Sequence, residues 1–165
     1  MMKYSNLAKT ALIVGALVSM VGCANMGKSK TMHSRAVGDV TKFYGEEMTA
    51  DREKALLAKQ TLYFEFDRYE LSEENKLVAL AHAKKLLENP RMKIRIEGHC
   101  DERGSREYNI ALGEKRAQVA SQLMAMKGVP ADQVAIVSYG KEKPQSLGHD
   151  EASWELNRRD EIVYE

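Results

Sequence analysis

From Met92 to Glu97 the chain reads Met-Lys-Ile-Arg-Ile-Glu, with apolar and charged side chains in strict alternation. Successive side chains of an extended strand point to opposite faces, so this segment belongs to a sheet with one apolar face and one wet face. A central strand covered on both sides would read as a continuous apolar run, so the pattern excludes a doubly wound sheet and places the helices on one face only.

The rest of the chain can be read against that constraint. Leu62, Phe64 and Phe66 alternate with Tyr63, Glu65 and Asp67, which predicts a first strand beginning near Thr61. Ser72 is placed to cap a helix, Glu73 and Glu74 suit its positive end, Leu77, Leu80, Ala81 and Leu87 supply an apolar stripe, and Asn89-Pro90 ends it. A long helix is expected from about Ser105 to Lys127, stopped by Gly128 and Pro130, with Leu112, Val119 and Leu123 on its apolar face. A third strand is expected at Val134 to Tyr139, a short helical stretch at Glu151 to Asn157 and a last strand at Glu161 to Tyr164. The order βαβαβ(α)β describes an α/β fold, a two-layer sandwich with its helices on one face of the sheet.

With 165 residues the chain has room for one such domain and an extension. Ala11 to Val21 is an apolar run preceded by Lys3 and Lys9 with no acidic residue before them, the order of a secretory signal. It is shorter than the roughly 20 residues that cross a bilayer. Met20-Val21-Gly22-Cys23 resembles the lipobox of bacterial lipoproteins, which implies removal of residues 1–22, lipidation of Cys23 and, with Ala24 following, transfer to the outer membrane on its periplasmic face. Residues 23–60 then form the lipidated cysteine, a flexible tether through Tyr44 and a short helix within Thr49 to Gln60, and residues 61–165 form the domain. Lys+Arg number 25 against 24 Asp+Glu, a net charge of +1, so no single-sign field is available to hold nucleic acid.

The stretch Gly98-His99-Cys100-Asp101-Glu102-Arg103-Gly104-Ser105 lies between the second strand and the long helix, where a strand end meets a helix N-terminus. Three- and four-residue spacings put Arg116 on the same helix face as Asn109, Leu112 and Gly113, so its guanidinium projects from the apolar side and needs a partner. Two readings follow: a structural pair between Asp101 and Arg116, or a site for a zwitterion in which Asp101 receives an ammonium and Arg116 holds a carboxylate. No metal, cofactor or catalytic residue is expected. His99, Cys100 and Asp101 are consecutive, so they point in alternate directions, and no CxxC or HxxxH spacing accompanies them. Cys100 is read as a small packed residue, and Arg158-Arg159 either as a structural element or as a solvated pair at a strand entrance.

Four segments carry a resemblance. Tyr63 to Asp67, Glu97 to Gly104, Asn109 to Ala117 and Asn157 to Arg159 occur in order, and together resemble the OmpA-like peptidoglycan-binding domain from about Leu62 to Tyr164. The resemblance implies non-covalent binding of the diaminopimelate of peptidoglycan stem peptides without cleavage, and partnership with the Tol proteins that couple the outer membrane to cell division. Matched by motif, Asp101 and Arg116 are the acidic and basic ligand contacts, Asn109 the asparagine at the helix start, and Phe66, Asp67 and Tyr69 the loop after the first strand, with Arg103 beside them. Ala120 and Met124 stand where the motif more often has valine and leucine, and both keep the apolar stripe. An OmpA-like envelope lipoprotein without Tol partners, and a periplasmic thiol or metal enzyme, are the competing readings.

The lipobox has a direct test. Cys23→Ser should release the protein from membranes, because the several acyl chains expected on this residue are the anchor, one chain alone holding only marginally. Fractionation after digestion of the peptidoglycan checks it: a signal-processed variant that still pellets with outer membranes sinks the lipid-anchor expectation.

Overall fold

A computed structural model describes residues 49–165, so the expected leader, Cys23 and the tether lie outside the described residues. Thr49 caps α1 (Ala50–Leu57) by accepting a hydrogen bond from the Arg52 amide, and Leu56 of that helix enters the core. Then come β1 (Thr61–Tyr63), α2 (Glu73–Glu88), β2 (Ile94–His99), α3 (Arg106–Met126), a 3-10 turn at Ala131–Gln133, β3 (Val134–Gly140), α4 (Glu151–Asn157) and β4 (Arg159–Tyr164). Ser72, Ser105 and Asp150 cap α2, α3 and α4 through their side-chain oxygens, each satisfying an amide that the first helical turn leaves bare. Among the described residues, no helix is long and apolar enough to cross a membrane.

The sheet order is β1-β4-β2-β3, with β2 and β3 parallel and β4 antiparallel to both β1 and β2. Ile96 pairs with Ile162 and Ile94 with Tyr164, which sets the inward face. Leu62, Ile94, Ile96 and Ile162 pack there against Leu80 and Leu86 of α2 and Ala117, Ala120 and Met124 of α3. The alternation in β4 carries Asp160 onto the same apolar side, while Arg159 and Glu161 take the outer face with Arg95 and Glu97. The two-layer α/β sandwich with helices on one face is therefore the architecture of the domain.

Three details differ from the periodicity. The first strand ends at Tyr63: the Phe64 amide turns to the Arg158 carbonyl at 2.9 Å, and Asp67 takes a left-handed φ of 56°. Leu62 and Phe64 stay buried, but Phe66 leaves the alternation and is 55% exposed. In α2 the buried line runs through Asn75, Ala79, His82 and Leu86, and Leu87 is exposed. The helix packs on α1 and α3 as well as the sheet, so its buried surface is wider than one stripe. In α3, Leu112 and Val119 are half-buried, and the innermost positions include Gly113, Arg116, Ala117 and Ala120.

The small residues explain that last shift. A Cβ on Gly98 of β2 would lie 2.2 Å from the Gly113 carbonyl oxygen, so helix and strand touch backbone to backbone at this point. A Cβ on Gly113 would meet the Ser138 hydroxyl at 2.5 Å and the Gly98 oxygen at 3.1 Å. This close approach lets a residue one turn further along α3 reach the end of β2. Gly98→Ala should cost at least about 1–3 kcal/mol of stability, the usual range for overpacking a tight contact. Gly113→Ala should cost less, because the Ser138 hydroxyl can rotate. Urea unfolding ranks the two, and a Gly98→Ala midpoint equal to that of wild type would show that the contact is loose.

Candidate functional site

The end of β2 is held by the Cys100 amide, which donates to the Gly140 carbonyl at 2.8 Å and so extends the β2-β3 pairing by one residue. The chain then turns through Gly104, at a φ of 91°, to the cap of α3. Asn109 ties this turn to the helix, its side-chain amide donating to the Arg103 carbonyl at 2.8 Å. The first-strand loop arrives from the other side, where the Tyr108 hydroxyl donates to the Asp67 carboxylate. Between the two loops lies a cavity of about 230 Å³ whose wall includes Phe66, Asp67, Asp101, Arg103, Asn109 and Arg116. Of the seven binding residues expected from the sequence, these six are brought together. Tyr69 is not in the wall; its ring lies 5.4 Å from the Lys115 ammonium.

Arg116 is fully buried, and every nitrogen of its fork is used. Its Nε donates to the Arg68 carbonyl at 2.8 Å, Nη1 to the His99 carbonyl at 3.0 Å and Nη2 to the Glu65 carbonyl at 3.2 Å. The structural pair between Asp101 and Arg116 is therefore not formed; backbone oxygens took the place of the carboxylate because the loops converge on the guanidinium from three sides. Burial pushes the Arg116 pKa down, yet an arginine keeps its charge in any physiological medium. Asp160, on the inner side of β4, has both carboxylate oxygens buried and without a hydrogen-bond partner. Burial raises the Asp160 pKa well above the usual range, against the pull of Arg116.

Asp101 is buried and paired with two other arginines. Its Oδ1 accepts from the Arg103 amide at 3.0 Å and from Arg103 Nε at 3.2 Å, and its Oδ2 accepts from Arg103 Nη2 at 2.7 Å and Arg158 Nη1 at 3.3 Å. Burial works to raise its pKa, but these hydrogen bonds outweigh it and hold the carboxyl below the ordinary aspartate value. The Arg103 guanidinium is stacked between Phe66 and Trp154, 4.0 Å and 4.1 Å from the ring centroids. Trp154 is itself fixed by its indole N–H on Glu102 at 2.9 Å.

Arg158 and Arg159 are not a solvated pair. Both are buried, and Arg158 spends its nitrogens on Asp101, on Glu151 at 2.7 Å and on the Phe64 carbonyl at 3.1 Å. Arg158 and Trp154 are the site residues that sequence reasoning missed. A charged residue leading into a strand looks like surface, and only the packing of α4 against the β2 loop brings it inward; the Asn157-Arg158-Arg159 motif was the one available signal.

Cys100 lies in the cavity wall with its thiol donating to the Asn109 carbonyl at 3.3 Å. Burial pushes its pKa up to about 11, so at neutral pH it is a packed, protonated thiol. The charged groups of the wall are three arginines, Arg103, Arg116 and Arg158, against two aspartates, Asp67 and Asp101. Such a cavity, lined by groups of both signs, suits a small ligand end that carries both an ammonium and a carboxylate.

The fold and this site define a class, a sheet-and-helix binding domain with an arginine-rich cleft at the end of its parallel strand pair, and the comparisons give it a family. The sequence model of the OmpA family matches residues 63–158, and the chain belongs to that family. The peptidoglycan-associated lipoprotein of Haemophilus influenzae is 37% identical over 97% of this chain and 99% of its own length. That of Pseudomonas aeruginosa is 40% identical over 98% of each. The crystal structure of the peptidoglycan-associated lipoprotein from Burkholderia pseudomallei superposes with a TM-score of 0.65 at 46% identity, covering 67% of this chain and 93% of that one. The C-terminal domain of Helicobacter pylori MotB, at 21% identity and a TM-score of 0.60, shares the fold.

The low pKa of Asp101 has a consequence for stability. Its folded value is depressed, so the stabilisation it supplies is complete above the unfolded aspartate pKa of about 3.9 and is lost as pH falls through the lower folded value. Asp101→Asn should therefore be less stable than wild type at neutral pH, and the gap should close below about pH 4. Urea unfolding across that range measures it; a gap that stays constant into acid would show that the ionised carboxylate contributes nothing.

Proposed function

We propose that this chain is a lipid-anchored outer-membrane protein, facing the periplasm, that binds peptidoglycan non-covalently through the diaminopimelate of the stem peptide and so ties the membrane to the wall. The observation that carries the reading is the cavity itself. It is sized for an amino-acid end group, not a glycan strand, and its lining offers both carboxylates for an ammonium and guanidinium groups for a carboxylate. The lipobox around Cys23 and the relatives named as peptidoglycan-associated lipoproteins support the anchor and the wall as its two attachments. The Tol proteins are the partners that the resemblance implies.

In this reading Arg103 stands where the ligand ammonium will go. Asp101 has its hydrogen-bonding capacity filled by Arg103 and Arg158, and of those two Arg103 is the more exposed. An incoming ammonium takes the place of the Arg103 fork on Asp101, while the ligand carboxylate is drawn to the positive floor made by Arg116. Phe66 and Tyr108 supply an apolar rim, and the amide of Asn109 keeps the loop in register. The protein acts as a clamp and not as an enzyme: the buried Cys100 thiol is protonated and bonded to a carbonyl, and the binding needs no base.

Calorimetry with wall peptides tests the reading. A peptide with lysine in place of meso-diaminopimelate keeps the ammonium but lacks the second carboxylate. Its binding should be weaker by about 1.5–3 kcal/mol, a tenfold to hundredfold loss. Arg103→Ala should bind the diaminopimelate peptide as well as wild type or better, because the stand-in cation is gone. Equal wild-type affinities for the two peptides would refute the carboxylate reading, and a tenfold loss in folded Arg103→Ala would make Arg103 a direct ligand contact instead.

A further inference from the structure

The sheet face turned away from the helices carries a second cluster that the peptide cavity does not use. Glu97 and His99 are two apart on β2, so they share that outer face, and the antiparallel register sets Glu161 of β4 opposite Glu97. A carboxylate oxygen from each glutamate and a ring nitrogen of His99 lie within 4.8 Å of one another. His99 is only 2% exposed. Its Nδ1 lies 3.1 Å from the Lys143 carbonyl, which can only accept, so Nδ1 carries the proton and Nε2 carries the lone pair. That Nε2 is buried and has no hydrogen-bond partner. An imidazole whose one nitrogen is fixed on a backbone carbonyl while the other presents a free lone pair is the arrangement that metal-ligating histidines adopt.

We propose that Glu97, His99 and Glu161 form a binding site for a divalent transition-metal ion, zinc fitting best, with His99 Nε2 and one oxygen of each glutamate as ligands and water completing the shell. The imidazole disfavours calcium and magnesium, which take oxygen ligands, and one nitrogen with two carboxylates suits zinc. Arg95 and Arg159 do not block the site. Each pairs with one oxygen, Arg95 Nε with Glu97 Oε1 at 2.8 Å and Arg159 Nε with Glu161 Oε1 at 2.7 Å, leaving Oε2 of both glutamates for the ion. Zinc–ligand distances of about 2.0–2.2 Å need the three atoms to draw in slightly from their present spacing. Glu161 is the most exposed of the three and is the side from which an ion enters. The two arginines offset the charge of the two carboxylates, so the affinity belongs to a modest site and not to a closed structural one. The ion bridges β2 to β4 beside the His99 carbonyl that receives Arg116 Nη1 at 3.0 Å. It therefore stiffens the strand end behind the peptide cavity without touching it.

The competing occupant is a single water, which can donate to His99 Nε2 and accept from Arg159 Nη1, itself buried and without a hydrogen-bond partner. The experiment separates the two. The full chain in detergent, carrying His33→Gln and His149→Gln to remove the histidines of the tether and of the exposed Glu102 pair, is freed of metal and titrated calorimetrically with zinc chloride, with magnesium chloride as control. One equivalent of zinc should bind, with a rise in melting temperature, and magnesium should not. His99→Gln and Glu161→Gln should each weaken zinc binding more than about tenfold, since losing a ligand costs at least as much as losing a supporting contact. If His99→Gln folds poorly, nitrogen-15 NMR of the parent decides, because zinc must shift the His99 Nε2 resonance while Nδ1 stays protonated. Absence of saturable zinc binding, zinc binding that survives in folded His99→Gln, or an Nε2 resonance unmoved by zinc each overturns the site in favour of the water. This test is independent of wall binding, so either can fail alone.

Discussion

A single buried guanidinium holds the functional end of this domain together. Arg116 reaches from the third helix to the carbonyls of Glu65 and Arg68 in the loop after the first strand and to the His99 carbonyl at the end of the second. These oxygens belong to two segments more than 30 residues apart in the chain, and the Glu65 carbonyl also accepts from the Arg68 amide at 3.2 Å. Hydrogen bonds to a charged donor contribute about 1.5–3 kcal/mol each, more than neutral ones, so the two loops that form the cavity are pinned by one side chain. The cost of burying that charge is lowered by the Phe64 ring, whose centroid lies 4.8 Å from the guanidinium carbon.

That arrangement depends on the backbone contact of Gly98 with Gly113. Were the helix held a side chain's width further from the sheet, Arg116 would fall short of the His99 carbonyl. The same closeness places the N-terminus of α3 beside the Asp101 loop, so Ser105 caps the helix while Asn109 ties down the loop that the cap begins. Asp101, Arg103 and Arg158 then form a charged layer above Arg116, with Phe66 and Trp154 stacked on either side of Arg103. The cavity is thus built from ion pairs already satisfied within the protein.

The two faces of the sheet divide the work. The inner face carries the apolar core and, at one end, the arginine-rich cavity; the outer face carries charged pairs, Arg95 with Glu97 and Arg159 with Glu161, and the buried His99 ring among them. His99 connects the faces, since its carbonyl serves Arg116 and its ring belongs to the outer cluster.

The alternation at Met92 to Glu97, the capping serines and the glycine and proline stops determined the element order, the one-sided placement of the helices and the gathering of Asp101, Arg103, Asn109 and Arg116 near a strand end, because periodicity and capping are local properties. The family motifs added Phe66 and Asp67 of the cavity wall, but also pointed to Tyr69, which lies outside it, and gave Arg158 no role in it. What the tertiary structure alone decided is which charges pair. Arg116 went to backbone carbonyls and not to Asp101, Arg158 came inward to Asp101, and Arg103 settled between two aromatic rings, because each choice depends on the distance between segments that are dozens of residues apart. Ion pairs and stacked rings respond to ångström-scale positions set by the glycine contact and by the docking of α4, and no period in the sequence encodes a distance of that kind.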